Sequence, residues 1–323
     1  MRAHLLLAVF VLLCAGCVHR QGMIASHLGR QGLAFKPGMK PSTLGWGTDD
    51  KAYPDKFVVN PRDGAEMVWI PAGEFMMGCS AEEVEWAYRW AKKTVDDVAK
   101  CEPYRDATPA HRVRITKGFW MYRHEVTNAQ YWKLKWRRRW LRAEVEGRSL
   151  CGRRQPVVLV TWDDCRAYCA WAGGKLPTEA QWEYACRAVS TTRFWWGESE
   201  TEAGRCANVA DRAGKLILGF KFIFDTDDGQ AISAPVGSYA ANRFGLYDMI
   251  GNVCEWCSDW YDEGYYAKSP SEDPAGPAEG TLRVVRGGSW DYRPFDARSA
   301  FRNKDRPDEE FGNFGFRPVV SSE

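Results

Sequence analysis

Asp248, Glu255 and Asp259 fall within Phe244–Tyr261, a stretch that also carries Cys254, Cys257, Trp256, Trp260 and Tyr261. Three carboxylates cannot be buried together without a counter-charge. Three large rings so close in sequence do not stay in solvent together. An irregular loop meets both demands if its oxygens converge on a hard cation while its rings enter a core. Calcium suits that arrangement, because it accepts carboxylate and carbonyl oxygens in a flexible geometry. Cys254 and Cys257 form a Cys-x-x-Cys, a spacing that serves redox or metal chemistry when the thiols share one environment. The chain has no second such pair and no nearby histidine to complete a zinc set. Structural pairing, with each other or with distant cysteines, is the plainer expectation.

Other chemistries are thinly supplied. Of five histidines, only His111 and His124 lie beyond the first sixty residues. No Gly-x-Ser-x-Gly elbow announces a serine hydrolase. The basic run Lys133–Arg142, with its interleaved Trp residues, could touch nucleic acid. It continues a capped helix, so a solvated helix face, or attraction to anionic lipid head groups, explains it more simply. A formal net charge of +2 over 323 residues gives no global attraction to nucleic acid, and none is expected as a partner.

The elements that must position these residues read as α+β. Aromatic residues make up 14 % of the chain, beside thirty Gly and sixteen Pro, which predicts irregular segments pinned by buried rings. Met67–Gly78 reads as a strand, a Pro-Ala-Gly turn and a second strand. Ser80 with Glu83 starts a helix whose apolar face is Val84, Ala87, Ala91, Val95 and Val98. His111–Thr116 alternates as a strand. Thr127 with Gln130 opens a helix through Trp136, Thr161 with Asp164 another that buries Ala167, Tyr168 and Trp171, and Thr178 with Gln181 a fourth. Val236–Tyr239, Leu282–Arg286 and Phe314–Val320 read as short strands.

Residues 1–17 read as a targeting segment, with Arg2 ahead of an apolar run, Leu5–Leu13, too short to span a bilayer. Cys14-Ala-Gly-Cys17 resembles the lipobox of bacterial lipoproteins, which implies lipid on Cys17 and an exported, membrane-anchored chain on the periplasmic or cell-surface side. Residues 18–60 read as a tether and 61–321 as the folded domain. Export predicts that most of the nine remaining cysteines form disulfides.

Seven ordered segments identify a resemblance. They are Val68–Gly78, Glu125–Tyr131, Val160–Asp164, Ala172-Gly-Gly-Lys-Leu-Pro-Thr-Glu-Ala-Gln-Trp-Glu-Tyr-Ala185, Gly245-Leu-Tyr-Asp-Met-Ile-Gly-Asn-Val253, Arg286-Gly-Gly-Ser-Trp290 and Gly315-Phe-Arg317. Together they resemble the sulfatase-modifying-factor family, which includes the formylglycine-generating enzyme. The resemblance implies a C-type-lectin-like α+β fold with little regular secondary structure. It also implies an oxidase that converts a sulfatase cysteine to formylglycine with oxygen and copper held by two cysteines. Those two positions are Tyr292 and Ala297 here, and neither offers the sulfur that Cu(I) requires. The expectation is therefore a binding or accessory module without copper, acting on a protein or peptide such as a sulfatase through a pocket near Ser289, Trp290, Tyr292 and Arg298. The alternative is a retained oxidase, or other chemistry in that pocket. The resemblance further implies one calcium on Asp248, Gly251, Val253 and Glu255, and a second on Asn208, Val209, Asp228 and Gln230.

Overall fold

A computed structural model of the chain describes residues 32–94, 105–134, 143–221 and 223–322. Cys17 and the targeting segment, Val95, Val98, Cys101, Trp136 and most of the basic run lie outside the described residues. In chain order the strands are β1 (Leu33–Ala34), β2 (Val58–Val59), β3 (Glu66–Ile70), β4 (Gly73–Met77), β5 (His111–Ile115), β6 (Phe119–Tyr122), β7 (Glu144–Val145), β8 (Arg148–Ser149), β9 (Cys254–Trp260), β10 (Arg283–Arg286), β11 (Asn303–Asp305), β12 (Phe314–Gly315) and β13 (Val319–Ser321). The helices are α1 (Ala81–Thr94), α2 (Asn128–Tyr131), α3 (Trp162–Ala172), α4 (Glu179–Arg187), α5 (Ala203–Cys206) and α6 (Arg212–Leu218).

Two small sheets carry the domain. One has the order β1-β2-β3-β6-β13 and the other β11-β10-β9-β12. The strands on either side of the Pro-Ala-Gly turn do form, but not as a hairpin. β3 pairs with β6 in the five-stranded sheet, while β4 pairs with β5 in a separate ribbon. Residues 33–60, read from composition as tether, supply β1 and β2 and pack on the domain. Phe35 and Trp46 meet the ring of Trp120 edge-on, and the Trp120 indole N–H donates to the Met39 carbonyl at 2.8 Å. The closing segment splits between β12 and β13, which belong to different sheets. Val236–Tyr239 is turn and loop rather than strand.

β9 corrects the reading of the acidic stretch. Residues 245–253 are irregular, with positive φ at Asp248 and Asn252. From Cys254 the chain becomes the central strand of its sheet, pairing with β10 on one side and β12 on the other. Its side chains alternate as a strand requires. Cys254 and Trp256 enter one apolar cluster, and Cys257 enters the other. Glu255, Cys257 and Asp259 share a face with charged partners, so the polar–apolar alternation of a half-exposed strand is disguised.

The helix starts follow their caps. Thr127 and Thr178 make reciprocal capping boxes with Gln130 and Gln181. Thr161 caps α3 through the Asp164 amide, and Ser80 accepts from the Glu83 amide at 3.2 Å. α2 ends at Tyr131 after one turn, short of the extent expected for it. In α3 the buried face is Cys165, Tyr168, Cys169 and Ala172, whereas Ala167 is exposed. Every residue of α4 except Gln181 is buried, so this helix runs through the centre. Cys79, Cys169, Cys186, Cys206, Cys254 and Cys257 are free thiols, which differs from the disulfide network expected of an exported chain.

Because the Thr178 hydroxyl accepts from the Gln181 amide at the start of α4, Thr178→Ala should cost about 1 kcal/mol of stability. Urea unfolding of the two proteins checks this, with an unchanged midpoint counting against the cap.

Candidate functional site

The site is built on a buried ion pair. β9 carries Glu255 into the interior, and the segment between β12 and β13 brings Arg317 to meet it. Arg317 Nη2 donates to Glu255 Oε1 at 2.6 Å, and its Nε to Oε2 at 2.8 Å. Trp182 Nε1 adds a third donor at 2.8 Å. The remaining Arg317 hydrogens reach the carbonyls of Tyr122, Arg123, Tyr247 and Asp248 at 2.9–3.3 Å. The counter-charge demanded by the acidic stretch is thus first a guanidinium.

Asp248 and Glu125 lie beside this pair. Asp248 Oδ2 accepts from the Gly237 amide at 2.7 Å, and Glu125 Oε1 accepts from Asn252 Nδ2 at 3.1 Å. With both carboxyls charged, the other oxygen of each is buried without a hydrogen-bond donor, as is Asn208 Oδ1. Burial pushes the Asp248 carboxyl up to about 6, against the pull of the Gly237 amide, Arg317 and a hydrogen bond from the protonated Glu125 carboxyl. Burial, then the nearby Asp248, holds Glu125 well above the usual carboxylate range. Orphaned buried oxygens of this kind suit a hard cation. Asp248 and Glu125, the latter not singled out by the sequence, are thus the carboxylates here that could offer oxygens to a cation. Both Glu255 oxygens already serve Arg317 and Trp182. Gly251 and Val253 follow Asp248 as buried residues of the same turn. Gly251 has φ +80°, and a Cβ there would sit 2.1 Å from the Asn208 carbonyl oxygen. Only glycine allows that approach.

Through this contact the second expected set adjoins the first. Asn208 Nδ2 donates to Asn252 Oδ1 at 3.2 Å. Asp228 accepts from the amides of Val209 and Gln230 at 2.9 and 2.8 Å. Asn208, Val209, Asp228 and Gln230 thus come together. Burial pushes Asp228 up to about 7, opposed by the Val209 amide. No group of three or more His, Cys, Asp or Glu side chains gathers for a metal among the described residues. A cation here would depend on main-chain and amide oxygens.

The residues around Ser289 divide. Ser289 donates to Asp291 at 2.5 Å and accepts from Asn313 Nδ2 at 3.2 Å. Tyr292 accepts from Asn303 Nδ2 at 2.8 Å. The Cys254 thiol interacts with Tyr292 and Ser289, and burial pushes it well above its ordinary range. It is protonated at neutral pH and a poor nucleophile. Trp290 instead stacks on Phe220, centroids 6.1 Å apart. Arg298 turns away to Glu83 at 2.6 Å. Ala297 is buried. Asp291, Asn303 and Asn313 were not foreseen, although Asn313 and Asp291 lie close in sequence to two of the recognised motifs. The Cys-x-x-Cys does not act as a pair. Residues three apart on a strand point to opposite faces, roughly 10 Å apart along it.

Comparison with known proteins gives the family. The sulfatase-modifying factor enzyme 1-like domain matches residues 54–322. The chain is similar to a formylglycine-generating enzyme of Streptomyces coelicolor, 44 % identical over 183 residues, covering 55 % of this chain and 57 % of that protein. It is also similar to the serine/threonine-protein kinase pkn1 of Chlamydia caviae, 33 % identical over 275 residues, or 78 % of this chain and 37 % of that one. The match thus spans little more than half, or less, of these relatives. Among solved structures, PvdO from Pseudomonas aeruginosa aligns with a TM-score of 0.64 and 28 % identity, covering 89 % of this chain and all of PvdO.

Two expectations follow. Arg317→Met leaves the Glu255 carboxylate buried and unpaired, so it should cost about 3–5 kcal/mol, measured by denaturant unfolding. A loss below about 1 kcal/mol would contradict the role given to the pair. The second concerns pH. The native Asp248 carboxyl holds its proton more tightly than the unfolded one, whose ordinary value is 3.8. Its charged form thus destabilises the chelator-treated protein above about pH 6, and the cost fades as pH falls from about 6 towards 3.8. Asp248→Asn, which tolerates the positive φ, should flatten that part of the stability–pH curve. Equal slopes in both proteins would count against it.

Proposed function

This chain belongs to the sulfatase-modifying factor enzyme 1-like family, and we propose that within it the chain works as a binding or accessory module without copper-dependent oxidase activity. The observation that carries this is the pair of side chains at the positions where the resemblance implies copper cysteines. Tyr292 holds a hydrogen bond from Asn303, and Ala297 is a buried methyl group. Neither can hold Cu(I) as a thiolate. The neighbouring Cys254 is a buried, protonated thiol, so it does not replace them.

Ser289 remains, bound to Asp291 and Asn313. In this reading that polar cluster sets the shape of a recognition surface. A partner protein segment, a sulfatase being the class suggested by the resemblance, would be bound without being oxidised. Lipid on Cys17 would hold the module at the outer face of a membrane. No helix among the described residues is long and apolar enough to cross one.

Calcium would be structural. Asp248, with the main-chain oxygens of Gly251 and Val253, fits the first site, and Glu125 supplies a second carboxylate beside Glu255. Asn208, Val209, Asp228 and Gln230 fit the second. The cation would neutralise carboxylates that burial otherwise disfavours, and so stiffen the irregular turns under the Ser289 cluster.

The deciding assay supplies copper, oxygen and a sulfatase-derived Cys-x-Pro-x-Arg peptide, with peptide mass as the readout. No conversion of the cysteine is expected. Turnover would overturn the proposal in favour of an oxidase. In parallel, calcium should raise the thermal midpoint of wild-type protein and much less that of Asp248→Asn. An identical response of the two would remove Asp248 from the site.

A further inference from the structure

Between β8, the loop that follows it and the 229–235 segment lies a cleft of about 700 Å³ whose described lining holds Arg148, Arg153 and Arg154 and no carboxylate. All three arginines are exposed, and no ion pair engages them among the described residues. The Arg154 guanidinium makes only a 3.3 Å contact with the Val236 carbonyl, and Arg153 lies over the ring of Trp132. In a chain with 42 acidic residues, three arginines facing one cavity unpaired mark a place where negative charge is supplied from outside.

The backbone that presents them is fixed. The Ala129 amide donates to the Arg153 carbonyl at 3.1 Å, the Asn128 amide to the Gln155 carbonyl at 3.0 Å, and the Val236 amide to the Arg154 carbonyl at 2.8 Å. Asn128 Nδ2 ties down Leu150 and Gly152, and Gln155 Nε2 crosses the cleft floor to the Ser233 carbonyl at 2.7 Å. A ligand would therefore meet a platform already in place, with little ordering left to do.

The rim adds a second chemistry. α6 leaves Leu216 86 % and Ile217 41 % exposed, and Ile217 lines the cleft. Ile232, also in the lining, belongs to the same apolar cluster as Trp290. A small inorganic anion would use the arginines but not this ridge. We infer that the cleft binds a protein segment in which acidic side chains alternate with apolar ones, the carboxylates held by the arginine forks and the apolar side chains by Ile217 and Ile232. This rests on, and deepens, the reading of the chain as a binding module. It predicts a charge preference opposite to that of a segment recognised through an arginine.

The test uses the full chain and a fluorescein-labelled peptide, Gly-Glu-Leu-Glu-Glu-Leu-Glu-Gly, against its isosteric Gln-for-Glu counterpart. Anisotropy should show the acidic peptide binding at least about tenfold tighter, the preference shrinking as salt rises. The triple variant R148Q/R153Q/R154Q should lose about tenfold in affinity with an unchanged thermal midpoint. I217S should weaken both peptides alike. Equal binding of the two peptides, no binding of either, or an unaffected triple variant would overturn the inference. So would displacement by millimolar phosphate at constant ionic strength, which would assign the cleft to a small anion. The oxidase assay on the same preparation separates the two ideas. Turnover with intact acidic-peptide binding removes the non-oxidase reading alone, whereas neither turnover nor binding removes the cleft alone.

Discussion

A carboxylate and a guanidinium, Glu255 and Arg317, meet where no water reaches, and most of the irregular structure hangs on that meeting. A chain with short strands leaves many carbonyls without a ladder partner, and buried carbonyls need donors. Arg317 supplies four such carbonyls while neutralising Glu255. Arg286 repeats the device. It pairs with Glu183 and donates to the carbonyls of Ser299, Ala300 and Phe301. Arg302 does the same with Glu179 and the Asp106 carbonyl. Buried ion pairs of this kind add little net stability against an apolar replacement. Here they specify where loops go, which apolar residues could not do.

That constraint orders the rest. Arg317 holds the 247–248 turn against the end of β6, which sets Asp248 beside Glu125. Trp182 on α4 reaches Glu255 from the other side. The turn then presses Gly251 onto Asn208, and the two oxygen-rich loops become one region. The Ser289 motif closes over it, with the Trp290 amide on the Asn252 carbonyl. The oxygen-rich loops and the Ser289 motif are thus parts of one hydrogen-bonded unit.

Much of this was legible from residue types. The caps at Thr127, Thr161 and Thr178 are local chemistry, and each begins a helix where expected. The resemblance fixed the family and the fold. The sequence misled where distant residues decide. Phe244–Tyr261 reads as one loop because Glu255 and Asp259 break the apolar alternation of β9, yet the guanidinium that neutralises Glu255, on Arg317, lies 62 residues further along the chain, and Asp259 is held by the Glu179 amide and the Ser258 hydroxyl. The same oversight made Cys254 and Cys257 look like neighbours. The partners of β3 and β4 were hidden for a similar reason, since a Pro-Ala-Gly turn suggests a hairpin but cannot exclude two better-matched strands elsewhere. The short contacts of Phe35 and Trp46 left no periodic trace at all.

The distance between Glu255 and Arg317 along the chain has a consequence for synthesis. The carboxylate leaves the ribosome 62 residues before the guanidinium that neutralises it. β13 must then add to β6, made some two hundred residues earlier. Until Arg317 and β13 emerge, Glu255 lacks its guanidinium and β6 has an unpaired edge. A chain that lacks Arg317 and β13 therefore carries an unpaired buried acid and an unpaired β6 edge, two features that favour aggregation over folding.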